Sequence, residues 1–410
     1  MKKLFANNKV VLNFILLIPI INAVADVLTN YYPPTTINPG SIRTLIILMF
    51  LLILALKKTV FKGMPAIIAI FLIYLVVLIP FSSNIFKSFI SYIHIFIPLM
   101  MFPLGFYYIR TIDNLKRLNT SLIIAASIIC LNLIISQLYK LGPSAYAEDS
   151  FYTGGADTAI TSLLAIIVLM SPVIYPLCKT KSLRIITTIV LVLAVVFTIV
   201  NLRRGPIIAL FGGFFIYGIF TSRKIQLFKY VILSLCVLLL INQFFSKTFQ
   251  KQLSARTVKF GAKYKKMGPA AEARYLETLV VWDEFRNKSL KHSLLGSEPF
   301  NSAYYFGRRS LHVDYNVLLH GAGIIGLSIY LLIYLIIIKK YNKVYKFNKR
   351  IWYFKEMRAV FFSIIFAAFL IGFSRSLGNI GFQSILFLWF GAIIRINREH
   401  YYLLKKMQID

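Results

Sequence analysis

Arg203 and Arg204 stand side by side in "VNLRRGPIIAL", directly before Gly-Pro and between two apolar runs. A guanidinium stays charged at any physiological pH and can meet a pair of phosphate oxygens with two parallel hydrogen bonds. Gly205 permits close backbone approach, and Pro206 reads as the first position of a helix, whose amide end attracts anions. Arg375 repeats the pattern in "GFSRSLGN", a second short cationic turn. Two such turns at one depth point to a polyanion held between them, and a diphosphate fits. The sequence lacks the acidic pair that would hold a divalent metal over that diphosphate, so arginine alone would stabilise the leaving group. His312, in "GRRSLHVDYN", is the residue type that accepts a proton from a hydroxyl near neutral pH, and Asp314, Glu272 and Glu277 are the nearest carboxylates to orient it. Arg308 and Arg309 add a cationic pair just upstream. His320 lies two turns deeper, placed for a hydrogen bond within the bundle, while His292, beside Ser293 and a turn, reads as structural.

The elements that must position these side chains follow from composition. The chain has 410 residues, 58% of them hydrophobic, in uninterrupted runs close to the roughly 20 residues that cross a bilayer as a helix. Continuous rather than alternating runs favour helices over a barrel, so the expected fold is an all-α, polytopic integral membrane bundle. Twelve spans are expected at 10–29, 41–56, 64–81, 86–108, 118–140, 157–177, 185–201, 205–221, 225–245, 314–338, 358–374 and 379–395. Residues 1–245 then carry nine spans, 246–313 form one long external loop with short helices, and 314–410 carry three spans and a tail, all one membrane domain. Within the loop, "GPAAEARYLETLVVWDEFRNKSL" predicts a helix lying either on the membrane surface or on the span tops.

Charge orients the bundle. With the N-terminus inside, the segments between spans place 27 of the 46 bases in the cytoplasm, 13 in the long loop, and six elsewhere: Arg43, Lys87, Lys140, Arg203, Arg204 and Arg375. Long loops translocate largely regardless of charge, so the short ones decide, and both termini are expected inside. Arg43, Lys87 and Lys140, at span ends, are expected to snorkel to headgroups. The same rule accounts for the net charge of +32 and makes nucleic-acid binding unnecessary. Cys130, Cys178 and Cys236 lie in or at the end of apolar runs without metal-ligand spacing, so no metal and no cofactor are expected. The basic, apolar start with Ala23-Val24-Ala25 is similar to a signal peptide, but retention as the first span is the reading for a polytopic chain.

From about Thr198 to Leu327 the sequence resembles the O-antigen polymerase and O-antigen ligase superfamily of bacterial membrane glycosyltransferases. The resemblance rests on Arg204-Gly205 opening a span, with Arg203 in place of a small hydroxyl residue. It extends to Arg274 and Trp282 in the long loop, the "HSLLG" turn at 292–296, and His312 followed by "GIIG" at 323–326. Many members carry His-Asn where this chain has His312-Val313, which would pass an orienting role to Asp314 or Asn316. The resemblance implies an undecaprenyl-diphosphate-linked oligosaccharide donor and a metal-independent inverting transfer on the outer face of the cytoplasmic membrane. It also admits membrane lipid and a chain-length regulator protein as partners.

The expectation is a polysaccharide polymerase of O-antigen or capsule type. Arg203 and Arg204 would hold the diphosphate, with Arg375 and Arg274 assisting. His312 and Arg204 would be catalytic, and Arg308, Arg309, Asp314 and Tyr315 would contact glycan or acceptor. Tyr304 and Tyr305 are further aromatics suited to stack on sugars. The nearest alternative is a ligase that passes the chain to lipid A core. A flippase of lipid-linked sugars is disfavoured by the absence of repeated halves and of mid-span charges. A rod-shape-type peptidoglycan polymerase is disfavoured because no external catalytic carboxylate can be placed.

Overall fold

The computed structural model describes residues 8–29, 38–56, 63–142, 152–154, 158–178, 180–221, 273–300, 311–374 and 376–407, with isolated positions between 31 and 265. The apolar runs form α1 (Asn8–Thr29), α2 (Pro39–Leu56), α3 (Ala66–Leu78), α4 (Ile85–Tyr108), α5 (Ile112–Tyr139), α6 (Thr158–Leu169), the short α7 (Ser171–Ile174), α8 (Lys181–Val200) and α9 (Arg204–Phe220). Later in the chain come α10 (Ala273–Asn287), α11 (Leu290–Leu295), α12 (Asp314–Asn348), α13 (Trp352–Ile371) and α14 (Ile380–Met407). Among the described residues there is no strand, and the protein is an all-α membrane protein.

Eight of the described helices are long and apolar enough to cross a bilayer. A ninth is the pair Thr158–Leu169 and Ser171–Leu177 if it is one broken span. Its 48° bend falls where Pro172 removes a backbone donor from the helix ladder. Two shorter apolar helices, Ala66–Phe81 and Arg204–Phe220, occupy two further expected positions, and the expected span 225–245 lies outside the described residues. Leu45, Ile46, Met49 and Leu52 on α2, Ile70, Ile73, Val76 and Val77 on α3, and Ile208, Phe211, Phe215 and Ile219 on α9 are exposed. Apolar surface this extensive needs lipid rather than water around it.

The core is organised around α14, whose most apolar window is 94% buried against 33–67% for the other long spans. Its closest partner is α4. A Cβ on Gly105 would fall 2.1 Å from the Leu388 carbonyl oxygen, and one on Gly391 would fall 2.1 Å from that of Phe102. Without a hydrophobic driving force between helices in lipid, such backbone-to-backbone approach supplies the packing. Helix α12 is kinked at Gly323, overruns its expected end at 338 and continues to Asn348. The part after the kink, residues 324–348, alone measures about 37 Å at 1.5 Å per residue, longer than a hydrocarbon core of about 30 Å.

Candidate functional site

The backbone of the elbow between α8 and α9 is tied to its neighbours. Asn201, fully buried, donates from Nδ2 to Thr161 Oγ1 at 3.1 Å, which ties the turn to α6. Leu202 takes a left-handed conformation (φ 48°), at a cost on the order of 1–2 kcal/mol for a residue with a Cβ. Its side chain is buried in compensation. Arg203 is the extended residue before the helix, Arg204 its first residue, and Pro206 therefore its third rather than its first. Arg203 is half-buried and Arg204 exposed. The Nε of Arg203 is buried and has no hydrogen-bond partner among the described residues.

Gly205 brings this elbow against the turn that closes α13. A Cβ there would meet Ser374 Oγ at 2.0 Å, so only glycine admits the contact. Ser374 Oγ also accepts from Arg274 Nη1 at 3.4 Å, which carries α10 to the same place. Two residues on, Ser376 donates from its backbone N–H to Asp314 Oδ1 at 2.8 Å and from its hydroxyl to Asp314 Oδ2 at 2.5 Å. The start of α12 is thereby fixed to the α13–α14 turn. Arg375 belongs to that turn but lies outside the described residues, as do Glu272, Tyr304, Tyr305, Arg308 and Arg309.

One turn along α10 from Arg274, Glu277 is 4% exposed and serves as an anionic cap for α12. Its Oε1 accepts the backbone N–H groups of His312 and Val313, each at 2.8 Å, and Asn316 Nδ2 at 3.3 Å. A negative charge beside a helix amide end is favourable. The same carboxylate places Oε2 at 4.0 Å from His312 Nδ1, so of the two described candidates to orient that imidazole, Asp314 and Glu277, Glu277 is the one brought beside it. Asp314 is instead occupied by Ser376.

Two motif fragments that looked separate in the chain meet in space. Gly323 (φ 64°, ψ −171°) breaks the ladder of α12, and a Cβ on it would lie 2.2 Å from the Leu294 carbonyl oxygen. Gly296, also left-handed at φ 90°, approaches Gly321 and Ala322 in return. The carbonyls released by the break are taken up from outside the helix: Tyr74 Oη donates to that of Ala322 at 2.7 Å, and Ser297 N–H to that of His320 at 2.8 Å. Glu298 continues the seam, accepting from Ser82 Oγ at 2.8 Å and Ser83 N–H at 2.9 Å. "HSLLG" and "GIIG" thus form one interlock that presses the loop onto α12.

Tyr315, His320 and Arg43 are each held by contacts within the protein. Tyr315 donates its hydroxyl to the Phe369 carbonyl at 2.7 Å and packs on Phe369 and Phe373, a helix-packing arrangement. His320 reaches the loop rather than the bundle, with Nδ1 2.9 Å from Glu284 Oε2. Arg43 does not snorkel: it is 8% exposed and ion-paired with Asp26, because α2 turns it inward against Gly381 at the start of α14. Trp282 is exposed on α10, edge-on to Phe285 and beneath the Arg286 guanidinium. Of these contacts, Ser374 was within reach of sequence reasoning because it adjoins Arg375. The pairing of Gly296 with Gly323 was not, since nothing in the chain marks which glycines will face each other.

Among the described residues no group of His, Cys, Asp and Glu is arranged to hold a metal ion. The chain matches no family model and no curated protein sequence.

Proposed function

We propose that the protein is a membrane polysaccharide polymerase that transfers a glycan from a polyprenyl diphosphate to the hydroxyl of another lipid-linked repeat unit. The bundle would have about twelve spans, both termini in the cytoplasm, and the site at the outer face of a bacterial cytoplasmic membrane. One observation carries the reading. The Arg203-Arg204-Gly205 elbow, Ser374 with Arg274, and the Glu277–His312 pair are joined through consecutive contacts at one end of the bundle.

In this scheme the guanidinium groups of Arg203 and Arg204, with Arg274 and Arg375, take up the diphosphate oxygens and stabilise the charge that grows as the sugar departs. The acceptor hydroxyl oxygen attacks the anomeric carbon from the face opposite the diphosphate. A new C–O glycosidic bond forms, the anomeric C–O bond to phosphate breaks, and the hydroxyl proton passes to the His312 imidazole. Glu277 holds the His312 backbone and lies beside its ring, while Arg308 and Arg309 would contact phosphate or acidic sugar. The resemblance to the polymerase and ligase superfamily supports the same assignment of Arg204, Arg274 and His312.

Arg204→Ala and His312→Ala should each abolish chain extension in cells while protein level and single-repeat surface glycan persist. Arg204→Lys should restore little, since an ammonium cannot reproduce the bidentate contact. Wild-type glycan ladders from either alanine variant would remove the role given to that residue.

A further inference from the structure

At the opposite end of α4 and α14, cations converge that the proposed transfer does not use. The guanidinium carbons of Arg395 and Arg398 lie 5.4 and 5.8 Å from the centroid of one ring, that of Phe106. Arg110, where α4 ends, sits 4.7 Å over Tyr107 and donates from Nε to its carbonyl at 2.7 Å. Arg395 is within electrostatic reach of Arg110 and Arg398, and Lys340 of α12 is within reach of Arg398. The acids do not balance them: Glu399 pairs with Arg395, and Asp113 is 3.0 Å from Lys116.

Retention of positive charge at this face explains bases in solvated loops. It does not explain a guanidinium drawn onto an aromatic ring. The Arg395 side chain is 17% exposed, and its Nε is buried without a hydrogen-bond partner among the described residues. Depth narrows the ligand. Arg395 and Arg398 lie about 23 and 27 Å along α14 from Ile380 at 1.5 Å per residue, close to the far boundary of a hydrocarbon core of about 30 Å. Phosphate groups of the bilayer lie just beyond that boundary, and the aromatic ledge of Phe106 and Tyr107 faces the level where acyl chains begin.

We propose that Arg110, Lys340, Arg395 and Arg398 form a binding site for the phosphate of an anionic phospholipid. The site is independent of the glycan reaction. Its test is native mass spectrometry of the full-length protein with phosphatidylglycerol or phosphatidylcholine, together with thermal unfolding in the presence of inorganic phosphate. The wild type should retain phosphatidylglycerol preferentially, and Arg398→Gln should weaken that retention roughly fivefold, the usual effect of one cation at the surface. Arg110→Gln, on an exposed connection, should weaken it similarly and guards against misfolding of the first variant. Exposed Lys343→Gln with Lys346→Gln should leave it unchanged. No preference for phosphatidylglycerol, equal loss in the lysine control, or equal stabilisation by inorganic phosphate would each overturn the assignment.

Discussion

Removing the Glu277 carboxylate should unlock the start of α12. In Glu277→Ala the backbone N–H groups of His312 and Val313 lose the oxygen that both share at 2.8 Å. An unsatisfied buried donor costs about 1–3 kcal/mol, and the half-buried position of His312 puts its donor at the low end. Loss of negative charge at a helix amide end adds about 0.3–1 kcal/mol. Local opening of the first turn should therefore become easier by about 3–4 kcal/mol, or roughly a hundred- to a thousandfold in the opening equilibrium. Hydrogen exchange of the protein in lipid nanodiscs reads this directly, on a peptide spanning residues 311–318 with residues 97–104 of α4 as the internal reference. Glu277→Gln keeps a neutral acceptor and should show about half the effect in free energy. Wild-type exchange over 311–318 in the alanine variant would refute the capping role and, with it, the argument that Glu277 positions His312.

Three further outcomes follow from buried polar contacts and tight backbone approach. Burial acts to raise the Glu284 carboxyl, but hydrogen bonds from His320 and Lys288 outweigh it and hold the group at about 2, below its ordinary 4.5. A depressed carboxyl stabilises above its unfolded value and loses that contribution as pH falls. Trp282 fluorescence should therefore report loosening of α10 between about pH 4.5 and 2, and Glu284→Gln should flatten the change in that window. Gly323→Ala combines a left-handed backbone with a Cβ 2.2 Å from the Leu294 carbonyl oxygen, and should expose the 292–296 turn to protease. Gly261→Ala, whose Cβ would meet no atom of the described residues within 4 Å, should not. Asp26→Ala leaves the Arg43 guanidinium buried without its partner and should cost about 3–5 kcal/mol, seen as early loss of the monodisperse peak on heating. Asp26→Ala with Arg43→Met should recover much of that loss.

The amino-acid sequence by itself determined the class of protein. Runs of about 20 apolar residues have one economical solution in lipid, so among the described residues helices arose over the expected apolar runs. It also set Arg203 and Arg204 apart, because charge in a short connection between apolar runs is conspicuous in one dimension. What the chain could not reveal was adjacency. That Glu277 rather than Asp314 stands by His312, that Arg43 folds inward onto Asp26, and that Gly296 interlocks with Gly323 depend on the rotation and depth of helices far apart in sequence. Those are set by side-chain packing among all the helices at once, and no local pattern of residues encodes them.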